Sequence, residues 1–165
     1  MKIVSANSEA TVTLTTSVGI IATVAHFYRG EPLYIKGVGN NHIRVMKLRL
    51  SDKYDYFLGY TEHLKIPSKV AVVDLDRGDE VIVKTDRGSY TVKITDVIPI
   101  GRYYRYKFTP RVADEGDSGS PVYLRTDDGD VIVGYLTHVA AFTSIAPILD
   151  AITEEMKKFA KASTQ

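Results

Sequence analysis

The strongest constraint on this chain is a succession of short, β-branched segments punctuated by Asp and Gly. Thr11-Val12-Thr13-Leu14-Thr15 alternates polar and apolar residues, and Ile43 to Leu50 does much the same. Glu80 to Thr85 and Ser89 to Ile94 flank Asp86-Arg87-Gly88, a turn signal that predicts a hairpin. A second hairpin is expected around Asp127-Asp128-Gly129-Asp130, between Val122-Tyr123-Leu124 and Val131-Ile132-Val133. Strands this short, at this spacing, predict an all-β sandwich or barrel.

One stretch departs from that pattern. Pro147 suits a first helical position, because its fixed φ matches the helix and its missing N–H costs nothing there. Ile148, Leu149, Ile152, Met156 and Phe159 then recur at helical spacing, with Glu154, Glu155, Lys157 and Lys158 between them. The spacing predicts a C-terminal amphipathic helix packed on the barrel surface. A seam is expected at Leu64 to Lys69, where Pro67 interrupts strand-like sequence.

The 165 residues are 44% hydrophobic and 25% charged, ordinary for a globular chain with a real core. A net charge of +1 gives no general attraction to nucleic acid or a membrane surface. Arg102, Arg105, Lys107 and Arg111, interleaved with Tyr103, Tyr104 and Tyr106, read as a strand with one charged face rather than a nucleic-acid site. The chain has no cysteine, and its first residues carry no signal-like apolar stretch. Both observations point to the cytoplasm, or to packaging in a particle assembled there.

Chemistry concentrates in Gly116-Asp117-Ser118-Gly119-Ser120-Pro121. A nucleophilic serine needs an exposed hydroxyl on a tight turn and backbone N–H groups aimed where an oxyanion forms. Gly116 and Ser118 can supply those amides, Asp117 can lock the loop, and Gly119 leaves room for substrate. A serine also needs a base, and a carboxylate to fix the imidazole tautomer. Among four histidines, His42 and His63 sit in polar, loop-like contexts, whereas His26 ends the apolar run Gly19 to Ala25. No two histidines have metal-ligand spacing on one element, so a metal hydrolase is disfavoured.

Gly-Asp-Ser-Gly-Ser-Pro resembles the nucleophile loop of chymotrypsin-like serine proteases, with Ser120 where a second glycine is usual. Thr23-Val24-Ala25-His26 is similar to the family's Thr-Ala-Ala-His, and Val133-Gly134-Tyr135-Leu136-Thr137 resembles the strand that pairs with substrate. Thr137-His138-Val139 is also similar to a sporulation-type serine peptidase family. The resemblance implies two antiparallel six-stranded-type β-barrels with a C-terminal α-helix: residues 1–66 carrying His and Asp, 67–146 carrying Ser, and 147–165 the helix.

It further implies His26 as base and Ser118 as nucleophile. Asp55-Tyr56-Phe57-Leu58 looks like the family's acid segment, with Asp52 as the competitor and Asp74 and Asp76 more distant. The oxyanion hole is implied at Gly116 and Ser118. The substrate pocket is implied at Val112 to Glu115, Thr137, His138 and Val139, and Thr143 to Ala146. No upstream cleavage site is placed to give Asp117 a new amino terminus, so an arginine or backbone amides are expected to meet it. The implied activity is endopeptidic, through an acyl-enzyme, without metal or cofactor. The partner is a polypeptide, its own precursor or a viral or cellular polyprotein included. The alternative is an inactive module of the same fold.

Overall fold

In the structure, a computed structural model, residues 1–37, 42–114 and 116–163 are described. The first sheet has seven strands: β1 (Lys2–Val4), β2 (Glu9–Thr11), β3 (Leu14–Thr15), β4 (Ile20–Thr23), β5 (Leu33–Lys36), β6 (His42–Ser51) and β7 (Tyr56–Tyr60). Their order is β2-β1-β5-β6-β7-β4-β3. The seven strands fit the six-stranded type expected for this half, because one segment is split in two. The two edge strands, β2 and β3, are consecutive in the chain, with only Val12 and Thr13 between them. Val12 N donates to Met1 O on one side at 2.9 Å, and Thr13 N to Ala22 O on the other at 2.8 Å. The chain itself thus links the two edge strands and curls the sheet into a half-barrel.

The second unit is a closed six-stranded barrel, β10-β13-β12-β11-β8-β9. Its strands are β8 (Glu80–Thr85), β9 (Gly88–Ile100), β10 (Tyr103–Thr109), β11 (Pro121–Thr126), β12 (Gly129–His138) and β13 (Ala141–Ser144). Both hairpins expected from the Asp/Gly turns form, with Thr85 opposite Gly88 and Thr126 opposite Gly129. Between β7 and β8 no strand is assigned. Residues 68–71 instead clip onto both barrels, with Ser68 N donating to Thr15 O and Ala71 N to Ile132 O.

Thr11 to Thr15 behaves differently from its pattern. Alternation predicts one solvated face, yet all five residues are buried. The threonine face lies in the seam between the barrels, and its hydroxyls are used there. Thr11 donates to Gly116 O at 3.2 Å, Thr13 to Gly119 O at 2.7 Å and Thr15 to Ile66 O at 2.5 Å. A buried hydroxyl without a partner would cost about 1–3 kcal/mol, so this polar stripe is tolerated only where carbonyls await it.

The helix α1 (Ala146–Ser163) begins one residue before Pro147. Its buried face runs through Ile148, Ala151, Ile152 and Glu155, packing into a core shared with Ile20, Phe57, Leu58 and Tyr135. Met156, expected on that face, is 44% exposed, while Glu155 is 4% exposed. The register passes through 155 because Arg49 on β6 meets the Glu155 carboxylate at 2.9 Å, with Lys158 at 3.2 Å. A buried charge is held only by such pairing. Tyr135 completes the join between barrels by donating its hydroxyl to Tyr54 O at 2.6 Å.

Candidate active site

His26 follows β4 directly, beyond the buried Val24 and Ala25, so a rigid apolar strand delivers its ring to the seam. Asp55 ends the turn between β6 and β7 and has φ 57°. Aspartate is among the few side chains that adopt this left-handed conformation readily. Tyr56, Phe57 and Leu58 are buried behind it. One carboxylate oxygen accepts the Ala25 and His26 N–H groups at 2.9 and 2.8 Å. The other lies 2.6 Å from His26 Nδ1. Three bonds from one side chain fix both the strand end and the ring plane.

With its proton on Nδ1 facing the carboxylate, His26 leaves Nε2 free to accept. The Ser118 hydroxyl lies 3.1 Å from that nitrogen. The hydrogen bond to Asp55 raises the His26 pKa above its ordinary 6.5, burial opposes that rise, and the carboxylate's charge adds to it. Asp52, the competitor at sequence level, is exposed and makes no bond to His26 among the described residues; it lines a cleft beside the ring.

The candidate nucleophile loop is clamped at several points. Asp117, 5% exposed, accepts from the Arg87 guanidinium at 2.5 Å and from Asp114 N at 2.8 Å. The arginine and the backbone amide expected to meet it are therefore both present. Arg87 comes from the β8–β9 turn and also pairs with Asp114 at 2.6 Å. Ser118 O accepts from Thr11 N at 2.8 Å, and Gly119 N donates to Leu136 O at 2.7 Å. Gly116 and Gly119 have φ +88° and +91°. The expected role of Gly119, leaving room for substrate, is corrected: a Cβ there would stand 2.1 Å from Thr11 O and 2.7 Å from Thr23 Oγ1. The absent side chain admits the first barrel's backbone. Neither the Gly116 nor the Ser118 N–H donates to another described residue.

Two clefts meet at His26. One, of about 380 Å³, is lined by His26, Asp52, Asp55, Arg105, Thr137 and His138. The other, of about 420 Å³, runs past Gly116 and Ser118 to Ser8, Glu9, Phe27 and Arg29. Thr137 and His138 thus reach the site. Burial lowers the His138 pKa, with Arg105 adding to the effect. Val112 and Val139 instead pack against the second barrel's core and line neither cleft. Glu115 lies outside the described residues. Arg105, Glu9 and Arg29 were not singled out as site residues by their sequence context; Arg105 belongs to the basic β10, and only the fold turns it toward His138. Ser120, in place of the second glycine, is fully buried, and its hydroxyl has no hydrogen-bond partner among the described residues.

No protein-family model and no curated protein matches this chain. Solved structures do. The chain is similar to the Rv3671c protease of M. tuberculosis in its inactive form, at 16% identity and a TM-score of 0.65, over 93% of this chain and 86% of that one. Kallikrein-related peptidase 10 matches at 16% identity and a TM-score of 0.65, over 94% and 93% of the two chains. The MamO protease domain from Magnetospirillum magneticum matches at 12% identity and a TM-score of 0.62, over 91% and 93%. The fold is the double β-barrel of chymotrypsin-like serine proteases.

Proposed function

We propose that this chain is a serine endopeptidase in which Ser118, His26 and Asp55 work as a triad. The observation that carries the reading is the continuous line of contacts from Asp55 Oδ2 to His26 Nδ1, 2.6 Å, and from His26 Nε2 to Ser118 Oγ, 3.1 Å. Ser118 Oγ attacks the scissile carbonyl carbon while its proton passes to Nε2. The carbonyl oxygen becomes an oxyanion, stabilised by the Gly116 and Ser118 amides. Collapse of the tetrahedral intermediate breaks the C–N bond, and His26 returns the proton to the leaving amine. Water, activated by the same imidazole, then hydrolyses the acyl-enzyme and restores the serine.

His26 borders both clefts, which suits a group that serves the acyl side and the leaving side in turn. The cleft with Thr137 and His138 takes the acyl portion, and the cleft with Glu9 and Arg29 takes the leaving peptide. The substrate is a polypeptide, its own precursor or a polyprotein included. An inactive module of the same fold is the rival reading. It gives no reason for an imidazole 3.1 Å from a serine hydroxyl, beside two amides that donate to no other described residue. Hydrolysis of a mixed peptide library by wild type, against Ser118→Ala, separates the two. The enzyme reading expects cleavage that the substitution lowers by about 10⁴–10⁶. Equal products from both proteins would overturn it.

A further inference from the structure

The nucleophile loop is also gripped on the side away from Arg87. Lys2, on β1, has a side chain only 15% exposed. Its ammonium donates to Gly116 O at 2.6 Å and to the Thr11 hydroxyl at 3.0 Å, and lies 3.2 Å from Asp86 Oδ2. Those three oxygens account for its three N–H donors. The Thr11 hydroxyl donates to the same Gly116 carbonyl at 3.2 Å. Asp86 neighbours Arg87, so one turn of the second barrel braces both flanks of the loop.

The peptide joining Gly116 to Asp117 lies between the two candidate oxyanion donors. That plane is set by Gly116 ψ and Asp117 φ, the torsions that also place the Gly116 and Ser118 N–H groups relative to each other. Glycine at φ +88° has little intrinsic preference for one orientation, so something outside the loop must hold the carbonyl. A charged donor at 2.6 Å is the stronger of its two partners. Lys2 lines neither cleft, so its contact is with the loop's backbone.

We propose that Lys2 is a positioning residue of the oxyanion site, whose ammonium, seated on Asp86, sets the Gly116–Asp117 peptide and thereby aims both amides. This rests on the reading of Ser118 as nucleophile. Losing an oxyanion donor outright typically costs 10²–10³ in turnover, and misaiming one should cost about tenfold.

The chain contains no cysteine, so Lys2→Cys introduces its only thiol. Alkylation with 2-bromoethylamine, in which the thiolate displaces bromide, rebuilds an ammonium of lysine's reach. Alkylation with iodoacetamide leaves the side chain neutral. Peptide hydrolysis and fluorophosphonate labelling are measured for all forms. Lys2→Cys and its neutral adduct should lose about tenfold in kcat, with KM changed less than about twofold, and the aminoethyl adduct should recover most of the loss. Equal rates for the two adducts, full activity in Lys2→Cys, or a change confined to KM overturns the proposal. If Lys2→Cys does not fold, Lys2→Met, which keeps the alkyl stem, must show the same kcat loss against wild type. A wild type that takes no label removes the nucleophile reading itself, and this proposal with it; a labelled wild type with an equally fast Lys2→Cys removes only the role of Lys2.

Discussion

The Arg87 guanidinium spans Asp114 and Asp117, tying the residue before the candidate nucleophile to a turn in another part of the same barrel. Asp117 is 7% exposed at its side chain, so it depends on that partner and on Asp114 N. Arg87→Met should lower stability in urea denaturation, because the buried Asp117 carboxylate loses its cation. Arg87 itself is half exposed, so the loss should be smaller than for a fully buried pair. Turnover should fall too. Unchanged stability and unchanged turnover would remove the brace from the account.

The raised pKa of His26 sets a pH signature. The base acts when neutral, so kcat/KM should rise with pH through one ionisation above 6.5. Asp55→Asn should move that ionisation down, since the hydrogen bond and charge that raise it are gone, and lower turnover by roughly 10⁴. Asp52→Asn should do neither. The same pair contributes stability that is fully present below about 6.5 and fades as pH rises through the raised value. A rate profile flat between pH 5 and 9 would exclude the imidazole from the reaction.

Two glycines with similar backbones should respond unequally. Gly119→Ala strains φ +91° and drives a methyl group to 2.1 Å from Thr11 O. Gly129 has φ +105° with nothing within 4 Å of a built Cβ. Gly129→Ala should cost about 1–2 kcal/mol of backbone strain alone. Gly119→Ala should cost clearly more, read as a larger drop in Tm. Equal drops would mean that the first barrel does not press on the nucleophile loop.

Ser120 carries a buried hydroxyl without a partner among the described residues, so Ser120→Ala removes an uncompensated polar group. Stability should hold or rise by about 0.5–1 kcal/mol, with hydrolysis retained. A loss above about 2 kcal/mol would show that the hydroxyl is bonded.

The parts of the candidate site legible in the sequence were those written within a few residues. The candidate nucleophile loop is contiguous, the histidine brought beside it ends an apolar strand, and Asp55 precedes the apolar residues that are buried behind it. What escaped depends on contacts between distant positions: Lys2 meets Gly116 across 114 residues, and Thr13 meets Gly119 across 106. The alternation in Thr11 to Thr15 reads the same whether its polar face meets water or carbonyls, so burial of the seam was hidden. In the helix, three- and four-residue steps are equally helical. Only the position of Arg49 decides that Glu155, rather than Met156, turns inward.

The most direct test of the central claim is the mapping, by mass spectrometry, of the residue modified by a fluorophosphonate probe. Label should sit on Ser118 alone, disappear in Ser118→Ala, nearly disappear in His26→Ala and persist in Ser120→Ala. Label on Ser120, or undiminished label in His26→Ala, would contradict the account.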